Sequence, residues 1–341
     1  MIGLLGCDIP LAQRYDLALV DLDGVTYRGH DPIDGAADGL AGARAHGMRL
    51  VFVTNNASRE PESVAAQLSG LGIPAEPDDI MSAAQAAAGV LATRLAPGAK
   101  VLVIGGAGLV TAVQAAGFVV VTSADDGPVA VAQGFAPELG WTQLAEAAYA
   151  IERGAWHVAS NLDLSLPTAR GLAPGNGSLV AAVRAATGVV PDSAGKPEPT
   201  MYQLAVSRAG AERPLVVGDR LDTDLAGARA AHYPGLHVLT GVSSGRDAVL
   251  AHPRERPDYL GADLASLLVP HPVPERSAAG WFSTRGAAAR VVDGRLELRG
   301  ADDVVDRLDL LRSACAAAWA AVDEGLAVAS DSIPEFPVDE A

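Results

Sequence analysis

Leu17-Ala18-Leu19-Val20-Asp21-Leu22-Asp23-Gly24-Val25 is the stretch from which the rest of the chain can be read. Four apolar residues in a row, with no alternation, describe a strand covered on both faces, as in a parallel sheet. The strand then ends in two carboxylates. On an extended backbone, residues two apart point the same way, so Asp21 and Asp23 are aimed together. Gly24 lets the chain turn at once. Open α/β sheets bind their ligands beyond the C-terminal ends of such strands. The plain alternative is a turn or helix cap, because Asp-Gly is common in turns.

A second stretch alters that balance. Leu215-Val216-Val217-Gly218-Asp219 is another apolar run ending in an acid, followed by Asp222 and Asp224. Two buried strands that end side by side in carboxylates repel each other unless a cation lies between them. Oxygen donors of this kind suit Mg²⁺. Asp222 reads equally well as an acid at a helix N-terminus, and the spacing excludes an EF-hand. In Leu50-Val51-Phe52-Val53-Thr54-Asn55-Asn56-Ala57-Ser58 a strand ends in hydroxyl and amide groups. Thr54 and the backbone N–H groups after it can hold phosphate oxygens at a helix start, while Ser58 is expected to cap that helix. Gly195-Lys196-Pro197 carries one of only two lysines, the other being Lys100. A compact ammonium there would offset the charge of a bound phosphate.

The 341 residues are enough for two domains and a fragment. Apolar runs alternate with amphipathic stretches, which predicts an α/β fold with a doubly wound parallel sheet. Strands are expected at 17–21, 49–54, 100–105, 118–121, 129–133, 156–160, 215–218 and 237–239. Helices are expected at 36–46, 60–71, 83–95, 109–116, 141–153, 179–186, 200–208 and 223–231. The Pro-rich 269–274 reads as a linker. Beyond it comes a small βα appendix over 275–326, with a tight hairpin at Asp293-Gly294. A helix then begins near Asp302 and Asp303, with Val304, Leu308, Leu311, Cys315, Ala318 and Val322 as its apolar stripe. Residues 327–341 read as an acidic tail. The net charge of −16 argues against a nucleic-acid partner. No long apolar run suggests a membrane span, and two distant cysteines suggest neither a disulfide framework nor a zinc site, so the expected location is cytoplasmic.

Taken together, Asp21-x-Asp23, Thr54, Lys196 and Gly218-Asp219-x(4)-Asp224 resemble, in order, the motifs of the haloacid dehalogenase superfamily. The forms around Thr54 and Asp219 are similar to the branch of p-nitrophenyl, pyridoxal phosphate, phosphoglycolate and glycerol phosphate phosphatases. The resemblance covers about residues 14–268. It implies a Rossmann-like core over 1–82 and 191–268, with an inserted α/β cap over 83–190 that closes over the site. It implies Asp21 as nucleophile and Asp23 as general acid and base. It implies Mg²⁺ held by Asp21, the Asp23 carbonyl and Asp219, with Asp224 behind them, and phosphoryl binding by Thr54, Asn55 and Lys196. The second acid, Asp23, favours phosphate over carbon–halogen chemistry. The cap loop Ser160–Pro167 is similar to the family loop that faces substrate, so Asn161, Asp163, Leu166 and Pro167 are candidate leaving-group contacts. Leu166 stands where pyridoxal phosphate phosphatases typically carry His. The expected substrate is therefore glycerol 3-phosphate first, then phosphoglycolate, with pyridoxal phosphate disfavoured. Partners reduce to the small substrate and a second copy meeting through the cap.

Two rival readings remain open on sequence. One is a regulatory or binding protein whose C-terminal module mediates contacts; the hairpin and helix of that module resemble a piece of an acetyltransferase-like domain. The other is a dinucleotide-binding oxidoreductase resting on Gly105-Gly106-Ala107-Gly108, but Thr111 occupies the place of the third fingerprint glycine. That run reads better as the first βα turn of the cap.

Overall fold

The computed structural model describes residues 3–168, 170–300 and 304–337. The chain forms two compact units, Met1–Val51, Leu71–Ile73 and Ala209–Ala341 in one, Phe52–Gly70 and Pro74–Arg208 in the other.

In the first unit the strand Leu17–Asp21 is buried over its four apolar residues. It pairs in parallel with Pro214–Gly218, Val20 opposite Val217. Gly235–Val238 and then Tyr259–Gly261 continue the parallel sheet outward. On the other side the sheet order places Arg49–Thr54 next to Leu17–Asp21. The apolar runs therefore sit in a parallel sheet flanked by helices such as Ala36–Ala45, as the sequence predicts. Tyr259–Gly261 escapes a sequence reading because three residues, after a Pro-containing loop, carry no usable period. The helix expected from Thr223 begins instead as one wide turn, Leu221–Leu225, before Ala226–Ala230.

The appendix belongs to this unit. Strands Glu275–Arg276, Phe282–Thr284, Ala287–Val292 and Arg295–Arg299 form an antiparallel sheet. Asp293 and Gly294 both take positive φ, 49° and 74°, as a two-residue hairpin turn demands. The helix Val304–Asp323 packs on this sheet with Leu311, Cys315 and Ala318 buried. Val322, expected in the same stripe, is exposed, and Trp319 fills the core instead. Asp302 and Asp303 lie outside the described residues. The segment read as an acidic tail buries Ile333 and Phe336, while residues 338–341 lie outside the described ones.

In the second unit Phe52–Thr54 pair with Ile80–Ser82. A parallel sheet runs in the order Asp192–Ser193, Trp156–Ala159, Ala130–Gln133, Lys100–Ile104, Val119–Val121. This is the inserted α/β domain. The helices Trp141–Glu152 and Asn176–Thr187 cover one face, packing Ile151 and Val183 over Leu102, Ile104 and Val131. Part of the stretch expected as an irregular cap loop forms an antiparallel hairpin, Ser165–Thr168 with Gly171–Pro174. Gly175 takes the N-cap position of the helix Asn176–Thr187, and Ser178 donates to Leu164 O. The helix expected to follow Ser58 starts only at Pro61, and Ser58 is engaged with Asn56 Oδ1. The Gly105–Gly108 run is indeed a strand-to-helix turn. A Cβ on Gly108 would stand 2.3 Å from Arg59 O, so close backbone packing accounts for that glycine.

Candidate active site

In the first unit, the ends of two adjacent strands bring carboxylates together. Asp21, Asp219 and Asp224 each offer an oxygen, and the three oxygens lie within 4.8 Å of one another. Asp219 and Asp224 are fully buried. Backbone N–H groups fix one oxygen of each: Val242 N donates to Asp219 Oδ2 at 2.7 Å, and Arg220 N to Asp224 Oδ2 at 3.2 Å. Glycines make room for these carboxylates. Gly24, at φ +83°, has no space for a Cβ, which would meet Asp219 Oδ2 at 2.5 Å. A Cβ on Gly241 would meet the same atom at 1.9 Å. The loop after Gly24 is tied across by Thr240 Oγ1, which donates to Gly24 O at 2.6 Å. Asp23 lies beside this cluster in sequence and is exposed.

Three carboxylates this close repel one another unless a cation lies among them. The donor set is all hard oxygen, small and partly held by backbone amides, which fits Mg²⁺. Asp222 is elsewhere engaged: it is exposed and paired with Arg220 at 2.8 Å.

In the second unit the candidate phosphate and cap residues also converge. Asn55 Oδ1 accepts from Lys196 N at 2.8 Å, and Asn55 Nδ2 donates to Lys196 O at 3.1 Å. The same Nδ2 reaches Asp163 Oδ2 at 3.1 Å. Lys196 is buried, its ammonium donating to Val53 O at 3.4 Å, one residue before Thr54. Thr54 Oγ1 accepts from Asn56 N. Asn161 Nδ2 donates to Asn55 O at 2.7 Å. Thus Asn55, Lys196, Asn161 and Asp163 form one hydrogen-bonded group, with Thr54 next to Asn55 in the chain. Leu166 and Pro167 lie on the hairpin strand Ser165–Thr168. Leu166 is half-buried; the side chain of Pro167 lies outside the described residues.

Sequence reasoning missed what supports this group. Asn176, the first residue of its helix, donates to Asn161 O at 2.7 Å and to Gln133 O. Gln133 Oε1 in turn contacts His157 Nε2 at 3.0 Å. Burial pushes the His157 imidazole down to about 4, so it is neutral at ordinary pH. The segment Gly175-Asn176-Gly177 has the look of a simple turn. Its partners lie 15 and 43 residues away. The one signal was a buried Asn between two glycines whose missing Cβ atoms admit the Leu162 and Asp163 carbonyls.

The sequence pattern of haloacid dehalogenase-like hydrolases matches residues 18–119, and a HAD-hydrolase-like pattern matches residues 193–267. The chain is 46% identical over 317 residues to the D-glycerol 3-phosphate phosphatase of Mycobacterium tuberculosis, covering 91% of this chain and 88% of that protein. It is 36% identical to an acid sugar phosphatase of Staphylococcus aureus, over 69% of this chain and 90% of the relative. Among solved structures, a glycerol phosphate phosphatase of Mycobacterium tuberculosis in complex with magnesium superimposes with a TM-score of 0.83 at 45% identity, covering 92% of both chains. A 4-nitrophenylphosphatase of Thermotoga maritima gives a TM-score of 0.70 at 27% identity, over 76% of this chain and 98% of that one. With its strand-end carboxylates, its parallel sheets and these relatives, the chain belongs to the haloacid dehalogenase-like hydrolase family.

Proposed function

We propose that this protein is a Mg²⁺-dependent phosphatase of small phosphate monoesters, with D-glycerol 3-phosphate as the preferred substrate. The observation that carries the reading is the meeting of Asp21, Asp219 and Asp224 within 4.8 Å at the ends of two parallel strands. The substrate is supported by the activity named for the 46%-identical relative. Phosphoglycolate is the second choice. Leu166, in place of a ring-binding His, weighs against pyridoxal phosphate.

Asp21, Asp219 and the Asp23 carbonyl would hold Mg²⁺, with Asp224 behind them. The bound ion would supply charge neutralisation for the phosphate and for the crowded carboxylates. An Asp21 oxygen attacks phosphorus in line, forming a P–O bond as the bond to the glycerol oxygen breaks. Asp23 gives its proton to the departing alkoxide. It then takes a proton from a water whose oxygen attacks phosphorus, releasing inorganic phosphate and the Asp21 carboxylate. Thr54 Oγ, the Asn55 backbone N–H and the Lys196 ammonium bind the phosphoryl oxygens. Asn161 or Asp163 would supply hydrogen bonds to the glycerol hydroxyls, and Leu166 and Pro167 would shape the pocket for the leaving group, so substrates lacking those hydroxyls would leave polar groups unpaired.

The working boundaries for this reading are a core of 1–82 and 191–268 and a cap of 83–190. The same reading has the enzyme cytoplasmic and paired with a second copy through the cap, which fractionation and sedimentation of the full chain check. Among the described residues no helix is long and apolar enough to cross a membrane. The deciding experiment is phosphate release from glycerol 3-phosphate, phosphoglycolate and pyridoxal phosphate, each with Mg²⁺ and with EDTA. Highest kcat/KM on glycerol 3-phosphate, lost in EDTA, supports the reading; an order of magnitude in favour of pyridoxal phosphate overturns the substrate assignment.

A further inference from the structure

The C-terminal region from 275 onward contributes no group to the chemistry above, yet it is packed against the loop that orients Asp219. We infer that this region is a positioning element of the metal site, acting through Phe336, Leu311 and the Ser330 and Ile333 carbonyls on Gly245 and Arg246; the inference rests on the Mg²⁺ reading of the Asp21–Asp219–Asp224 cluster.

The contacts run in an unbroken line. Asp219 Oδ2 is held by Val242 N, and Asp219 O accepts from Ser243 N at 3.2 Å. Ser243 Oγ accepts from Leu221 N, at the start of the turn that carries Asp224. Val242 is 70% exposed, so the tip of this loop has no packing of its own, and such segments open readily. Its geometry is set at its two ends. One end is Thr240, bonded to Gly24 O. The other is Gly245, the first residue of the helix Gly245–Val249.

Gly245 sits on the C-terminal region. A Cβ there would lie 2.9 Å from Phe336 Cβ and 3.1 Å from Leu311 Cδ2. The next residue, Arg246, donates to Ser330 O at 2.8 Å and to Ile333 O at 3.1 Å. Farther along the helix, Ala248 O accepts from Trp319 Nε1 at 3.0 Å. Leu221 and Leu225, which flank Asp224, share one apolar cluster with Leu311, Cys315, Trp319, Ile333 and Phe336. Both loops that present buried acids are thus seated on the appendix helix and the segment behind it. Groups that orient metal ligands from behind are worth roughly ten- to a hundredfold in metal affinity.

The test is a Mg²⁺ titration of the full chain, read as the rise in thermal midpoint with Mg²⁺ concentration, which reports affinity without turnover. For Phe336→Ala we expect a Mg²⁺ affinity weakened about tenfold, with Phe336→Leu restoring most of it. Trp281→Ala, just before the appendix strand Phe282–Thr284 and beneath Arg290 and Arg299, should lower the midpoint in EDTA and leave Mg²⁺ affinity unchanged. If Phe336→Ala lowers the midpoint but keeps wild-type Mg²⁺ affinity, the inference is overturned. Should Phe336→Ala fail to fold, Arg246→Gln decides by the same criterion. A wild-type protein whose midpoint ignores Mg²⁺ overturns the metal reading itself, a result distinct from normal wild-type binding with unchanged variants.

Discussion

Asn55 grips the backbone of Lys196 from both sides, its Oδ1 taking the Lys196 N–H at 2.8 Å and its Nδ2 giving to the Lys196 carbonyl at 3.1 Å. One side-chain amide thereby plays the part of a neighbouring strand for a lysine 141 residues away. With the Nδ2 also on Asp163, the side chain is committed to holding its neighbours. This leaves the backbone N–H of Asn55 as its group for phosphate.

Asn55→Ala is therefore expected to misplace Lys196. Loss of a half-buried, fully used amide costs about 1–3 kcal/mol, so kcat/KM for phosphate release should fall roughly ten- to a hundredfold, with the circular dichroism spectrum retained. Asn55→Asp should be no better. A carboxylate can still accept from Lys196 N, but it can give nothing to Lys196 O and faces the Asp163 carboxylate. Wild-type rates in Asn55→Asp would show that the grip is dispensable.

Asp21→Asn should abolish turnover, because an amide cannot form the acyl phosphate. It should also raise the thermal midpoint in EDTA, since it removes one of three crowded negative charges, by an amount on the order of 1 kcal/mol in stability. Kinetics and a melting curve on the same sample check both. Residual Mg²⁺-dependent turnover above a trace would remove Asp21 from its assigned role.

Activity should vanish in EDTA, return with Mg²⁺ and be suppressed by Ca²⁺. The larger ion accepts carboxylates through both oxygens and would occupy the oxygen that Asp21 needs for attack. Initial rates in matched concentrations of the two ions decide the matter, and equal rates would contradict it.

His157 and His271 are both buried, and burial pushes each imidazole down to about 4 from 6.5. Above pH 6.5 they are neutral in folded and unfolded chains alike. As pH falls from 6.5 towards 4, the unfolded chain binds protons that the folded chain refuses. Stability is thus complete above this window and lost on acidification through it, by about 2 kcal/mol per histidine between pH 7 and pH 5. His157→Gln, which keeps a partner for Gln133, should shrink the loss measured by urea unfolding at those two pH values. An unaltered loss would mean that His157 is not protected as its burial implies.

Leu166→Arg should change the ranking of glycerol 3-phosphate against phosphoglycolate, because a cation in the cap favours the substrate carboxylate. The change should exceed any effect on the melting midpoint. If the ratio of the two kcat/KM values stays put, the hairpin Ser165–Thr168 does not contact the leaving group.

The sheet and its acids can be read from the sequence alone. Leu17–Val20 and Leu215–Val217 are apolar without alternation, and only a strand covered on both faces accommodates that pattern. The residue that ends such a strand is placed at the ligand-binding edge whatever the loops do, so Asp21, Asp219 and Thr54 were legible one by one. Asn55 was legible as part of its motif, but its grip on Lys196 was not. Hydrogen bonds across 141 or 106 residues leave no local period to read. The same holds for Asn176 beneath Asn161 and for Val242 on Asp219. The appendix shows the division most clearly. The Asp293-Gly294 turn and the helix stripe follow from local rules, whereas the exposed Val322, the buried Trp319 and the docking of Phe336 on Gly245 were decided by tertiary packing. An apolar stripe says that a helix face must be covered, and only the folded chain settles what covers it.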